Sequence, residues 1–148
     1  MTLKDTNMMK RFSMMLLVAI AMLLLPGAVT AQTFRDSSNR QLGSVESNGT
    51  VRDASNRQIG KIESNGVIRD DSNRQVGRIE SNGVIRDGSN RQVGRVESDG
   101  TVRDGSNRQI GKIESDGTVR DGSNRQIGKA SGVSKQHAAV LFFFGLLR

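Results

Sequence analysis

The 148-residue chain has no Cys, no Trp and no Tyr, and only one His and one Pro. Without Cys there is no disulfide framework, no thiolate ligand for zinc or an iron–sulfur cluster, no thiol nucleophile and no lipid-modified cysteine. A metal site would have to be built from carboxylates, carbonyls and a single imidazole. The length allows one domain at most.

The residues that are present are unevenly spread. All six Met and Pro26 lie before residue 32. Lys4, Lys10 and Arg11 precede an uncharged apolar run from Met14 to Leu25, and Pro26-Gly27-Ala28-Val29-Thr30-Ala31 follows it. This is the basic, apolar and small-residue layout of a secretory signal peptide, and the run is short for a membrane span of about 20 residues. Residues 1–31 are therefore expected to be cleaved. The mature chain, starting near Gln32, is expected in the periplasm, on the outer surface or outside the cell, with no stable transmembrane span. From Gln32 onward, 31 of 117 residues are apolar, and 19 basic groups face 14 acidic ones. So few large apolar groups place the mature chain near the disordered class by composition. Its order must come from pattern.

The pattern is a 17-residue tandem repeat. Arg-Asp-x-Ser-Asn-Arg-Gln starts at Arg35, Arg52, Arg69, Arg86, Arg103 and Arg120, and Glu-Ser-(Asn/Asp)-Gly at Glu46, Glu63, Glu80, Glu97 and Glu114. Each unit holds two turn signals. Asn-Gly or Asp-Gly beside β-branched residues predicts a type I′ hairpin turn. Asp-x-Ser-Asn predicts a turn in which short polar side chains bond their own backbone. Strands of about four to six residues remain, which favours an antiparallel up-and-down arrangement with one hairpin per repeat.

Val51, Ile59 and Ile62 and their equivalents are the apolar positions. Ile59 and Ile62 are three apart and would face opposite sides of a regular strand, so Gly60 between them predicts a bulge that returns both to one face. A lone hairpin cannot bury that face. Radial closure of the copies on a common axis, as in propeller-like or flower-like folds, satisfies the edges; an open solenoid fits the two polar turns per unit less well.

The period ends at Gly128-Lys129, and a linker leads into Ala138-Ala139-Val140-Leu141-Phe142-Phe143-Phe144-Gly145-Leu146-Leu147-Arg148. An apolar run bounded by polar residues predicts a strand buried on both faces that plugs or closes the assembly. An exposed strip that forms a homo-oligomer or meets a membrane is the rival. An outer-membrane barrel fits poorly, since crossing strands need about 9 to 11 residues.

The signal peptide, the tandem Arg-Asp-x-Ser-Asn-Arg-Gln-Ile-Gly-Lys-Ile-Glu-Ser-Asp-Gly-Thr-Val units, and the ending Gly-Val-Ser-Lys-x-x-Ala-Ala-Val with a Phe run resemble the secreted bacterial 5-fold β-flower proteins. The resemblance spans Gln32 to Arg148. It implies an all-β flower of radially arranged hairpins, and carries no established activity or catalytic residues. This chain has five complete periods but six Arg-Asp turns, so five petals and six petals both remain open. The domain plan is residues 1–31 signal peptide, 32–129 β-hairpin repeats, and 130–148 linker and apolar closing strand.

Catalysis needs unlike groups converging on one atom, and tandem copies repeat the same groups. Ser131, Ser134, Lys135 and His137 are the reactive types outside the repeat, but neighbours on an extended segment point apart and lack a third partner. No catalytic residue, metal site or cofactor is expected; neither EF-hand nor β-roll calcium spacing occurs. The stronger signal is arginine. Arg52, Arg57, Arg69, Arg74, Arg86, Arg91, Arg103, Arg108, Arg120 and Arg125 recur at equivalent positions, where guanidinium groups could hold the phosphate or carboxylate of an envelope polysaccharide or lipid headgroup. Against this stands pairing with Asp53-type and Glu63-type carboxylates. Nucleic acid is disfavoured, since stacking aromatics are missing from the repeats. The expectation is a non-enzymatic exported structural or interaction protein, with a multivalent binder of acidic glycan or lipid headgroups as the alternative.

Overall fold

A computed structural model describes residues 32–147. The predicted signal peptide, residues 1–31, and Arg148 lie outside the described residues. Twelve strands, two per period, run in order: β1 (Gln32–Asp36), β2 (Gln41–Val45), β3 (Thr50–Asp53), β4 (Gln58–Ile62), β5 (Val67–Asp70), β6 (Gln75–Ile79), β7 (Val84–Asp87), β8 (Gln92–Val96), β9 (Thr101–Asp104), β10 (Gln109–Ile113), β11 (Thr118–Asp121) and β12 (Gln126–Ser131). Each pairs antiparallel with its neighbours in sequence, and β1 pairs with β12, closing the sheet into an up-and-down barrel. Closure removes the free edges that a hairpin array would otherwise present. Ala130 and Ser131 pair with Phe34 and Thr33, so the wall runs two residues past the predicted repeat boundary at 129.

Both turn types use one backbone design. In the Glu turns the Gly49 N–H donates to the Glu46 carbonyl at 2.9 Å, and the Glu46 N–H donates to the Thr50 carbonyl at 2.8 Å. Gly49 adopts φ 88°, while Asn48 is not at positive φ. The expected two-residue type I′ turn is replaced by a three-residue type I turn with a left-handed closing residue. The third loop residue frees Asn48, whose Oδ1 accepts the Thr50 N–H at 2.9 Å. In the Asp turns asparagine takes the left-handed place: Asn39, Asn56, Asn73, Asn90, Asn107 and Asn124 have φ of 62–66°. Asn tolerates this region better than other side-chain-bearing residues.

The predicted bulge is present. Val51 opposes Gly60 while Arg52 opposes Gln58, leaving Ile59 as the extra residue. Ile62 is fully buried and Ile59 only half-buried at the margin of the core. The bulge thus brings both to the core, unequally. The first-period counterpart of Ile59, Leu42, is 40% exposed.

The tail is the main departure from expectation. Instead of an apolar closing strand, it forms helix α1 (Lys135–Ala139) and then a π-helical turn (Val140–Phe144) ended by Gly145 at φ 60°. With β1 already paired to β12, the barrel has no edge to offer an added strand. A segment entering an apolar lumen must therefore satisfy its own N–H and C=O groups, which a helix does and a lone strand cannot. Ala138, Ala139, Val140 and Leu147 join the barrel's Val and Ile side chains in one core. No helix among the described residues is long and apolar enough to cross a membrane, a fact that leaves β-barrel spanning untouched.

Candidate functional site

The periodic sequence sets out its polar groups as rings. At the Asp-turn end, Asp36 Oδ1 accepts the backbone N–H groups of Ser38 and Arg40, both at 2.9 Å, and Oδ2 takes the Arg40 side chain. The same unit recurs at Asp53–Arg57, Asp70–Arg74, Asp87–Arg91, Asp104–Arg108 and Asp121–Arg125, with Nη2–Oδ2 distances of 2.8–2.9 Å. The backbone N–H of the paired arginine, followed by its side chain and charge, lowers each aspartate's pKa. These six arginines remain 78–80% exposed, so one face of each guanidinium meets solvent.

The second set, Arg52, Arg69, Arg86, Arg103 and Arg120, lies on the wall at 29–31% exposure. Each donates Nε to the glutamate of the preceding Glu turn at 2.5–2.9 Å. Nη1 of the same residue reaches the carbonyl of the next Asp turn's asparagine, as in Arg52 to Asn56 at 3.2 Å. One side chain therefore straps the two turn layers across a four-residue strand. The ten arginines picked out in the sequence thus divide into an exposed rim ring and a partly covered strapping ring, both carboxylate-paired. Pairing of the kind weighed against anion binding is present at every one of these positions.

At the Glu-turn end, a cavity of about 930 Å³ opens between the tail and one side of the rim. Glu46, Ser47, Asn48, Glu63, Ser64 and Asn65 face Ser134, Gln136 and His137 across it. Lys135 serves the opposite side, donating Nζ to the Ser98 carbonyl at 3.1 Å. There the rim carries Asp99 and Asp116 in place of asparagine, and Lys135 adds to the lowering of the Asp99 pKa after the Thr101 backbone and hydroxyl bonds and Lys112. The Asn/Asp difference between otherwise matching repeats thus tracks where the tail leans. Ser134 caps α1, its hydroxyl accepting the His137 N–H at 3.2 Å. Burial pushes the His137 imidazole pKa down. Ser131 ends β12 and is exposed. The structure places these four residues as strand end, cap, tether and cavity lining. Among the described residues no cluster of three metal-ligating side chains occurs.

The lumen shows a relation that sequence reading missed. A Cβ on Gly128, Gly111, Gly94, Gly77 or Gly60 would collide with Phe142, Phe143, Phe144, Leu146 or Leu147 respectively. At Gly43 the collision is with Phe34 of β1. Each bulge glycine is also crowded by an arginine carbonyl of the neighbouring strand, and the space its missing side chain leaves seats one large apolar side chain, so that successive tail residues occupy successive periods around the barrel. Six seats stand about 60° apart on a closed ring. An α-helix turns about 100° per residue, too tightly to match them. The wider π-helical winding and the left-handed Gly145 bring consecutive side chains closer to that spacing. The six periodic glycines and the nine apolar residues between Ala138 and Leu147 do not match in number, so the relation emerges only once the tail is placed in the lumen.

Searches of curated proteins and of solved structures returned no match. The family model described as 5-fold beta-flower protein matches residues 31–146, nearly all of the repeat wall and tail. The chain belongs to the 5-fold β-flower protein family.

Proposed function

We propose that the protein is a non-enzymatic structural or interaction module, exported to the bacterial envelope or the extracellular space. The observation that favours this is the use of its polar groups: the carboxylates that recur with the repeat hold arginines, and Ser134 and Lys135 hold the tail. Such a molecule displays a repeated surface instead of converging unlike groups on one atom. Its petals number six, one for each Asp-turn hairpin, with the β1–β12 pairing standing where a sixth Glu turn would be. Expression of the full chain followed by cell fractionation and N-terminal sequencing tests export. A product beginning near Gln32 outside the cytoplasm is expected, and an uncut cytoplasmic chain overturns it. Turnover on an esterase and glycosidase panel that His137→Ala abolishes would sink the non-enzymatic role.

A second role, multivalent binding of an acidic glycan or lipid headgroup, draws support from the exposed guanidinium faces of the rim. Salt-sensitive retention on an anionic matrix is its sign. Retention unchanged at high salt counts against it.

A further inference from the structure

We propose that the barrel's outer wall carries a binding belt for a flexible anionic polysaccharide, formed by Lys61, Arg78, Arg95 and Lys112 and distinct from the ten carboxylate-paired arginines. This rests on the acidic-glycan role above and relocates it. Aspartates hold the rim arginines and glutamates hold the strapping ones. No side-chain carboxylate lies within ion-pair distance of the four belt residues among the described residues, although Glu63 neighbours Lys61 and Asp99 neighbours Lys112. They occupy the same place in four successive periods, so their charges are spaced by two strands, about 10 Å along the wall. Lys129 continues the row but stands 3.9 Å from Asp116.

Their placement is not one the fold requires. Lys61, Arg78, Arg95 and Lys112 stand directly opposite Arg69, Arg86, Arg103 and Arg120 in the strand register. Like charges facing each other across a ladder are destabilising, and here the glutamate on each facing arginine offsets that repulsion while leaving the belt cation without a carboxylate of its own. The first period shows that no cation is needed there: Ser44 fills the equivalent place opposite Arg52. A repeated cation that has no carboxylate of its own within ion-pair distance and that the architecture does not require points to a ligand. The wall of a closed barrel is convex, so cations spaced around it point in different radial directions. A flat bilayer meets only part of the belt at one time, whereas a flexible polyanion can follow the curve and contact successive charges.

The test compares the purified protein with two variants of equal charge loss. Lys61→Gln/Arg78→Gln/Arg95→Gln/Lys112→Gln removes the belt, and Arg74→Gln/Arg91→Gln/Arg108→Gln/Arg125→Gln removes rim charges. Binding is measured on immobilised heparin and polygalacturonate and on phosphatidylglycerol vesicles, at about 0.15 M salt, with melting curves to confirm folding. The belt variant should lose at least about tenfold in polysaccharide affinity, and the rim variant much less. Equal losses, or a greater loss at the rim, overturn the belt while leaving the acidic-glycan role standing. Binding to vesicles alone overturns the polysaccharide assignment, and binding to none of the three overturns both the belt and the role it rests on.

Discussion

Single residues in this fold are tuned to backbone geometry more than to chemistry. The six Asp-turn asparagines sit in the left-handed region. Asn90→Ala should lower stability by about 1 kcal/mol, because a Cβ without the asparagine side chain's local compensation is disfavoured there. Asn90→Gly should stay within about 0.5 kcal/mol of the parent, since glycine adopts positive φ freely. Urea unfolding of the two variants checks the contrast. The rim aspartates link the same turns to pH. Their folded-state pKa values are lowered, chiefly by the arginine backbone N–H, so their contribution is full above the ordinary carboxylate range and is lost as pH falls through the depressed folded values. The melting temperature should therefore drop steeply below about pH 4. His137 acts in a different window. Burial disfavours its charged form, so a shallower loss should begin as pH falls below about 6.5, and His137→Gln should remove that shallow phase alone.

At the scale of elements, hairpins and tail were not equally legible. Strand length, two turns per unit, antiparallel order and the bulge beside Gly60 all follow from local sequence, because each is decided within a few residues. The Glu turn differs in type, because Asn48-Gly49 fits a two-residue loop equally well and the Asn48 bond to Thr50 favours the three-residue one. The tail differs in kind, helical where its apolar run predicts a strand. Its apolar run suits a strand or a helix, and the choice depends on whether the sheet has an edge left, which only closure between β1 and β12 decides. The arginine rings were legible as positions and their partners as Asp53-type and Glu63-type carboxylates, but which glutamate each arginine takes, as Arg52 takes Glu46, depends on the turn geometry between them. Deleting residues 138–148 should empty the lumen and cause unfolding or aggregation, seen as loss of a cooperative melt; an unchanged melting temperature and monomer mass would show that the tail is dispensable. A milder probe is Gly94→Ala, whose Cβ meets both the Phe144 ring and the Arg103 carbonyl. It should cost about 1–3 kcal/mol by overpacking, and Phe144→Ala should relieve only the ring's share in a double-mutant cycle.

The whole molecule is held by agreement between two unlike parts, a periodic wall and an aperiodic tail. Five glycine seats are filled from the tail and the sixth by Phe34 within the wall. Removing one complete period, residues 84–100, should therefore do more harm than losing one hairpin's contacts. The tail then offers five side chains to four seats, and the predicted result is a broadened, less cooperative thermal transition. A sharp transition at the parent temperature would show that wall and tail adjust independently.

Near-identical tandem units invite copying errors that add or drop a unit, and in an open solenoid such errors only lengthen or shorten the stack. Here an added unit brings a glycine with nothing to fill it, and a lost unit strands a phenylalanine or leucine. On this packing the tail fits one repeat number, and a chain of another number is expected to fold less cooperatively, which would hold constant a dimension set by repetition.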